Sequence, residues 1–493
     1  MRSRLRRHLG FLFQPETAGR QMLKAARALG APAGPQVQVP PEMTPISFAL
    51  LLLHIGAELE HALMVEYLYA GYSLGGPQVP EAHRQEVQCW QETILGIAKE
   101  EMGHLITVQN LLRCLGGPLN LDREDYPWDS ELYPYPFELE PLTRASLAKY
   151  VVAESPADWK GSEADEIREL AKASAGGSAV HPVGILYHRL RTLLADESVI
   201  PDSAFRGSTY PYQANWDEWG RGYQAGKRGN ATGGAMPQTP NVLVMPIAGR
   251  DDALAAIDAI TTQGEATSMK SDDDPSHFAR FLRIFRAWPK HYRPSRPAAT
   301  NPFVTTSLGE EATARKAAPR GPAAVAKNED EDAQECTRMA ITHPETRLWA
   351  HLCNVRYQLL LHCLLRTFEY TGSLDQQSST TPRGLLVHAT FGEMYNLRAL
   401  STLLVESPLT ADGGDGQCAG PPFQLPYTMR LPVEAIDRWH VHREMLRSCS
   451  LIANELEPLT TDARRGYLGA MRHTDGETCK LIDTILRHLE SAD

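Results

Sequence analysis

Apolar side chains recur at intervals of three and four residues in six early segments, 46–74, 84–115, 142–154, 183–197, 251–265 and 276–288. That spacing predicts helices with one buried face. Period-two alternation is nearly absent, so a sheet is not expected. Gly75-Gly76-Pro77 closes the first helix and Gly116-Gly117-Pro118 the second, both in turn chemistry that stops a helix. Four further helical segments, 345–370, 382–405, 432–456 and 461–489, follow much later. The pattern as a whole predicts an all-α chain: a four-helix bundle, then a second helical layer or bundle.

The segments between the helices divide the chain. Residues 1–45 read as an N-terminal extension with a short helix near 18–29, and residues 46–292 as the first bundle. Residues 293–335 turn to Pro, Ala and Thr and then to the charge run 327–332, which predicts a mobile linker or long loop. Residues 336–493 form a C-terminal helical region. Within the first bundle, the Gly-rich stretch 205–240 carries Tyr210, Tyr212, Trp216, Trp219 and Tyr223. A loop that long and that aromatic is expected to cover a site.

Two apolar stripes are interrupted by acids. In the second helix, Val87, Trp90, Ile94, Ile97, Glu101, His104, Val108, Leu112 and Leu115 share one face. A lone carboxylate buried there would cost several kcal/mol. Glu101 is therefore expected to be paired, protonated or metal-bound, and His104, one turn on, supplies a second ligand. The Glu-x-x-His spacing is that of carboxylate-bridged dimetal bundles. In the first helix, Glu60 sits alone in the stripe Leu53, Gly56, Leu63, Tyr67, Ala70 and Leu74. The same helix holds a second Glu-x-x-His pair, Glu58 and His61, which reads either as a solvated face or as support for the ligands. Glu154, Glu265 and His277 lie at the ends and starts of later predicted helices and complete a set of four carboxylates and two imidazoles. The plain alternatives are a helix-terminal surface acid for Glu154 and a helix-start histidine for His277. Tyr67, Tyr187 and Trp90 stand near these positions and read first as core residues.

Composition and charge narrow the options. With 493 residues, 42% of them hydrophobic, the chain can bury one large core or two medium ones, and a net charge of -11 argues against a nucleic-acid binder. The longest apolar run, 48–55, is followed by Glu58 and Glu60, so no membrane segment is expected. The eight cysteines show no CxxC pair, which favours a reduced, cytoplasmic protein over a disulfide framework.

Several stretches resemble the ferritin-like domain family of the iminophenyl-pyruvate dimer synthase type, found in violacein- and rebeccamycin-like pathways. They are Leu59-Glu60 through Ser73, Glu100-Glu101-Met102-Gly103-His104-Leu105, Leu111-Leu112 to Pro118, Ala153-Glu154-Ser155-Pro156, Val183-Gly184 with Tyr187, Gln263-Gly264-Glu265, and Ser276-His277-Phe278 with Arg280-Phe281. Gly420 to Phe423 and Leu425 to Thr428 resemble it more thinly. The resemblance implies a ferritin-like bundle with Glu60, Glu101, His104, Glu154, Glu265 and His277 as the metal-facing set, and it disfavours Glu66. Glu58, His61, Tyr67 and Tyr187 are held as residues that support the ligands. Two departures stand out: Ile185 replaces an acid often seen there, and residues 157–178 look like an insertion.

A carboxylate-held metal pair suits dioxygen chemistry, because hard oxygen ligands stabilise oxidised metals. The leading expectation is a non-haem diiron oxidoreductase, with manganese as the alternative metal. The resemblance implies an amino-acid-derived substrate in bacterial specialised-metabolite biosynthesis. Expected partners are that small molecule and dioxygen, with a reductant or a pathway enzyme as further candidates. A non-catalytic metal store of the same fold, and a metal-free helical accessory protein, are the competing readings.

Overall fold

The computed structural model describes residues 37–123, 133–219, 241–265, 275–306, 338–371, 381–412, 416–425 and 429–491, with the short pairing of Tyr223–Gln224 and Lys227–Arg228. The expected helix near 18–29, much of the aromatic stretch 205–240 and most of the expected linker lie outside the described residues.

The first bundle is built from α1 (Pro45–Ser73), α2 (Arg84–Cys114), α3 (Arg144–Ala153), α4 (Ser162–Ser174), α5 (Gly184–Ala195), α6 (Arg250–Glu265) and α7 (His277–Ala287). Local chemistry sets the starts. The Thr44 hydroxyl accepts from the Ser47 amide at 3.2 Å with Pro45 in the first turn, and Thr143 and Ser146 form a reciprocal capping box on α3. α1 packs along α2, α5 along α6, and α3 along α7, while α1 also meets α5.

The third and fourth rods of this bundle are broken. The Val183 amide at the head of α5 donates to the Ala153 carbonyl at the tail of α3 at 2.9 Å, so α5 resumes where α3 stops. Residues 155–182, with α4, loop out between them. The fourth rod stops at Glu265 and restarts at His277. Breaks of this kind free backbone groups and let side chains turn inward at the ends. α4 falls inside the expected insertion and was not predicted as a helix. Its buried face is only Ala164, Ile167 and Ala171, too small to register as an apolar stripe.

The second bundle holds α8 (Pro344–Thr367), α9 (Pro382–Val405), α10 (Ala435–Leu456) and α11 (Asp462–Glu490). α8 packs on α9 and α10, and α10 on α11. One large core runs through both bundles and includes Phe48, Tyr67, Ile97, Phe281, Trp349, Leu361, Leu400 and Phe423. A smaller core around Leu359, Leu386, Trp439, Leu446 and Ile482 belongs to the second bundle alone.

Residues 293–306, the start of the expected mobile linker or long loop, form an irregular segment fastened by backbone hydrogen bonds. The Gly75 amide donates to the Pro294 carbonyl, Arg296 to the Ser73 carbonyl and Asn301 to the Leu139 carbonyl, each at 2.8 Å. Pro302–Phe303 then pairs in parallel with Met339–Ala340. These backbone bonds fasten the segment to the first bundle. α1 is long and apolar enough to cross a membrane, yet 78% of its most apolar window is buried inside the fold. Among the described residues the cysteines are free thiols.

Candidate metal centre

α1 and α2 bring Glu60, Glu101 and His104 to the bundle axis, and the broken ends of the other rods add Glu154, Glu265 and His277. All but Glu265 are nearly or fully buried. Glu154 follows the last residue of α3, which Ser155-Pro156 prevents from continuing. His277 is the first residue of α7, after the capping Ser276.

Glu101 stands at the centre. One of its oxygens lies 2.9 Å from His104 Nδ1 and the other 2.8 Å from His277 Nδ1. Glu60 completes the first side at 3.4 Å from His104 Nδ1, and Glu154 the second at 3.6 Å from His277 Nδ1. Two groups of potential ligands result, Glu60-Glu101-His104 and Glu101-Glu154-His277, with ligand atoms in each within 4.8 Å of one another. They share one carboxylate, and the imidazoles stack at 5.5 Å between centroids.

The outer nitrogens of both rings are anchored. His104 Nε2 meets Gln263 Oε1 at 2.8 Å, and His277 Nε2 meets Glu100 Oε2 at 3.1 Å. An acceptor on the far nitrogen fixes the tautomer that leaves the near nitrogen free for a cation. Glu100 is in turn ion-paired with Arg280 and accepts from the Asn241 amide at 2.7 Å. Residues 241–245 lie along α2 because Gly103 leaves room for them: a Cβ there would stand 2.9 Å from the Leu243 backbone. The carboxylates are held as well. Tyr67 donates to Glu154 at 2.6 Å and Tyr187 donates to Glu60.

Electrostatics mark a pocket that demands positive charge. Burial, and then the Glu101 charge, push Glu60 up to about 8. Burial also tends to raise Glu101, but the His277 and His104 charges hold it well below the usual carboxylate range. Burial by itself would lower His104; Glu101 beside it raises it to about 10, and His277 is raised in the same way. Without a metal, protons on the imidazoles supply the missing charge. A more direct sign is that Glu101 Oε1 and His277 Nδ1, paired by charge at 2.8 Å, are not aligned as a hydrogen bond. Buried polar atoms in that state need a ligand, and a cation among N and O donors of this type fits them.

Glu265 stands apart from both triads. It accepts from the Gly184 amide at 2.5 Å, and a Cβ at position 184 would fall 1.8 Å from its oxygen. It lines, with Glu60, Glu101, His104, Glu154 and Tyr187, a cavity of about 20 Å³. Burial raises its carboxyl to about 8, against the pull of the Gly184 amide.

Among the described residues, the contacts of Glu58 and His61 lie away from the centre and its ligands. Glu58 accepts from Asn120 at 3.3 Å and Tyr133 at 3.4 Å, and His61 bonds the Tyr357 hydroxyl of the second bundle. Glu66, buried, accepts from the Glu138 amide at 2.9 Å away from the centre. Trp90 stacks on Trp288. In the described part of the aromatic stretch, Trp219 packs on Phe391 of α9 at 5.5 Å, and Glu218 pairs with Arg383. That part joins the two bundles and does not cover the centre. Sequence reading assigned no role to Glu100 and Gln263, although both lie in the family-resembling stretches beside Glu101 and Glu265.

Residues 53–286 match the ferritin-like family model. Those residues have a ferritin-like fold. Among curated proteins it is similar to dichlorochromopyrrolate synthase of Lentzea aerocolonigenes, 26% identical over 415 residues, covering 78% of this chain and 36% of that protein. It is also similar to 2-imino-3-(indol-3-yl)propanoate dimerase of Chromobacterium violaceum, 26% identical over 292 residues, covering 52% of this chain and 25% of that protein. The chain thus spans well under half the length of either relative. A solved ferritin-like protein from Caulobacter vibrioides is 16% identical, with a TM-score of 0.39 over 73% of this chain and 98% of that one.

Proposed function

We propose that this chain is a non-haem dimetal oxidoreductase, diiron with manganese as the alternative, acting on a small amino-acid-derived intermediate in bacterial natural-product biosynthesis. The observation that carries the reading is the shared Glu101 carboxylate between two buried triads, each with an outward-anchored histidine. The substrate class rests on the printed names of the two biosynthetic relatives.

In this reading Glu60, Glu101 and His104 hold one ion, and Glu101, Glu154 and His277 the other. A carboxylate-held metal pair of this kind would supply dioxygen-dependent redox chemistry. The chain's own groups do the rest. Glu101 keeps the two positions together, Tyr187 and Tyr67 orient Glu60 and Glu154, and Gln263 and Glu100 hold the imidazole tautomers. Glu265, facing the cavity from the Gly184 amide, is the acid free to turn toward the metals or to hold a proton beside them. The cavity of about 20 Å³ admits a water-sized molecule. A larger substrate enters only if Glu265 or the Ile260 and Thr261 wall moves.

That small volume is the one feature favouring the second reading, a ferritin-like metal store. Dioxygen uptake separates the two. Iron-loaded, reduced protein is mixed with oxygen in the presence and absence of indole- and phenyl-bearing 2-imino and 2-oxo acids. Substrate-dependent uptake beyond the iron present supports the oxidoreductase. Uptake limited to the iron, unchanged by every acid, would leave the store.

A further inference from the structure

A second cavity lies at the junction of the two bundles, far from the metal centre. It has a volume of about 370 Å³ and lies between the C-terminal end of α1, the N-terminal end of α2, the segment at Arg296 and the last turns of α9. Tyr72, which lines it, is 12 residues beyond Glu60 on α1, about 18 Å at the rise of a helix.

Three arginines line this cavity: Arg84 from α2, Arg296 from the connecting segment and Arg398 from α9. Arg296 is engaged, donating to the Leu74 carbonyl at 2.5 Å and to Glu406 at 2.9 Å. Among the described residues the guanidiniums of Arg84 and Arg398 have no hydrogen bond or ion pair. Positive charge continues behind them, since Lys99 is pushed below its usual range by burial and then by the Arg398 charge. Glu406 is the one acid of the lining, and Arg296 already occupies it. A cationic cavity of this kind is out of keeping with a chain of net charge -11. Like charges gathered in a concave surface raise the local concentration of anions, and a guanidinium fork matches a carboxylate.

The remaining wall adds selectivity. Leu95, partly exposed, gives an apolar surface over the nearly buried Val79 and Val87, and Gln88 and Gln91 add amides at its edge. A volume of this size is at the low end for a small organic ligand.

We propose that this junction cavity binds a small organic anion, a carboxylate on an apolar body, with Arg84 and Arg398 holding the carboxylate and the valine and leucine wall taking the body. The site draws on both bundles, so its ligand also fastens them together. It is independent of the metal centre and of the function proposed for that centre.

The test is calorimetric titration of the full chain with 3-phenylpropanoate, its neutral amide and inorganic phosphate, together with thermal melting. The carboxylate should bind one to one, raise the melting midpoint, and bind about tenfold more weakly to R84A and to R398A, the loss of one charged hydrogen bond. The amide should not bind. Because neither guanidinium holds any other described residue, both variants should melt like the unaltered chain when no ligand is present. Absence of carboxylate binding at millimolar concentration would overturn the proposal. So would affinity unchanged in both variants, or phosphate binding as tightly as 3-phenylpropanoate.

Discussion

Each bundle buries a cluster of charge, and the two clusters are neutralised in opposite ways. In the second bundle Arg356, fully buried on α8, donates to Asp475 at 2.9 and 2.5 Å and to Glu393 at 2.8 Å. The chain supplies its own permanent cation there, and both acids bond to it directly. In the first bundle Glu60, Glu101 and Glu154 face two imidazoles, and the nearby Arg280 is turned outward to Glu100. No fixed cation reaches the three acids from any described residue. The difference teaches that burial of acids alone does not mark a candidate metal site; acids that face imidazoles, whose nitrogens can take a cation in place of a proton, do so more than acids held by a fixed guanidinium.

The comparison can be broken at its largest element first. Glu101→Ala removes the carboxylate common to both triads and should reduce bound metal from about two ions to nearly none, by elemental analysis. Arg356→Ala should leave the metal content unchanged and cost about 3–5 kcal/mol of stability in chemical denaturation, because it strands two buried acids. If Arg356→Ala lost metal, or Glu101→Ala kept it, the contrast between the clusters would be wrong.

Two smaller effects sharpen it. Glu100→Gln withdraws the charged acceptor behind His277 and should weaken metal binding about 10–100-fold in competition with a chelator, with less effect on the His104 side. Gly184→Ala puts a methyl group where Glu265 now lies and should cost about 1–3 kcal/mol through forced displacement. Unchanged stability in Gly184→Ala would mean that Glu265 moves freely.

A further effect depends on pH and lies away from the centre. Burial raises Glu66 to about 8, opposed by the Glu138 amide and the Lys149 charge. A folded value above the unfolded one means that its contribution is complete below about pH 4.5 and is lost as pH rises through about 8. Relative to Glu66→Gln, the unaltered chain should therefore lose stability between pH 5 and 8, read from denaturation midpoints. Parallel curves would show that Glu66 is not neutral in the fold.

The sequence alone carried the helices and the centre unequally. Glu101, His104 and Glu60 were legible because each interrupts a long apolar stripe, and a buried acid in such a stripe needs a partner. Glu58 and His61 repeat the Glu-x-x-His spacing but lack that context. Glu58 is taken by Asn120 and Tyr133, and His61 by Tyr357, 296 residues away in the chain, contacts no local pattern reveals. Glu100 escaped notice because it lies off the α2 stripe, and its burial comes from Arg280 and residues 241–245 arriving across the fold. The 293–306 segment read as a linker or long loop from its prolines, yet the Arg296, Ala299 and Asn301 amides donate to the distant carbonyls of Ser73, Cys418 and Leu139. Composition predicts a lack of regular helix there and says nothing of where the backbone bonds go.

The central claim is that Glu60, Glu101, His104, Glu154 and His277 enclose a pair of metal ions. Elemental analysis of the chain purified from iron-supplemented cells tests it most directly. The account predicts close to two ions per chain, falling to nearly none in Glu101→Ala that melts cooperatively. A metal-free chain, or one whose metal content does not change in that variant, would contradict it.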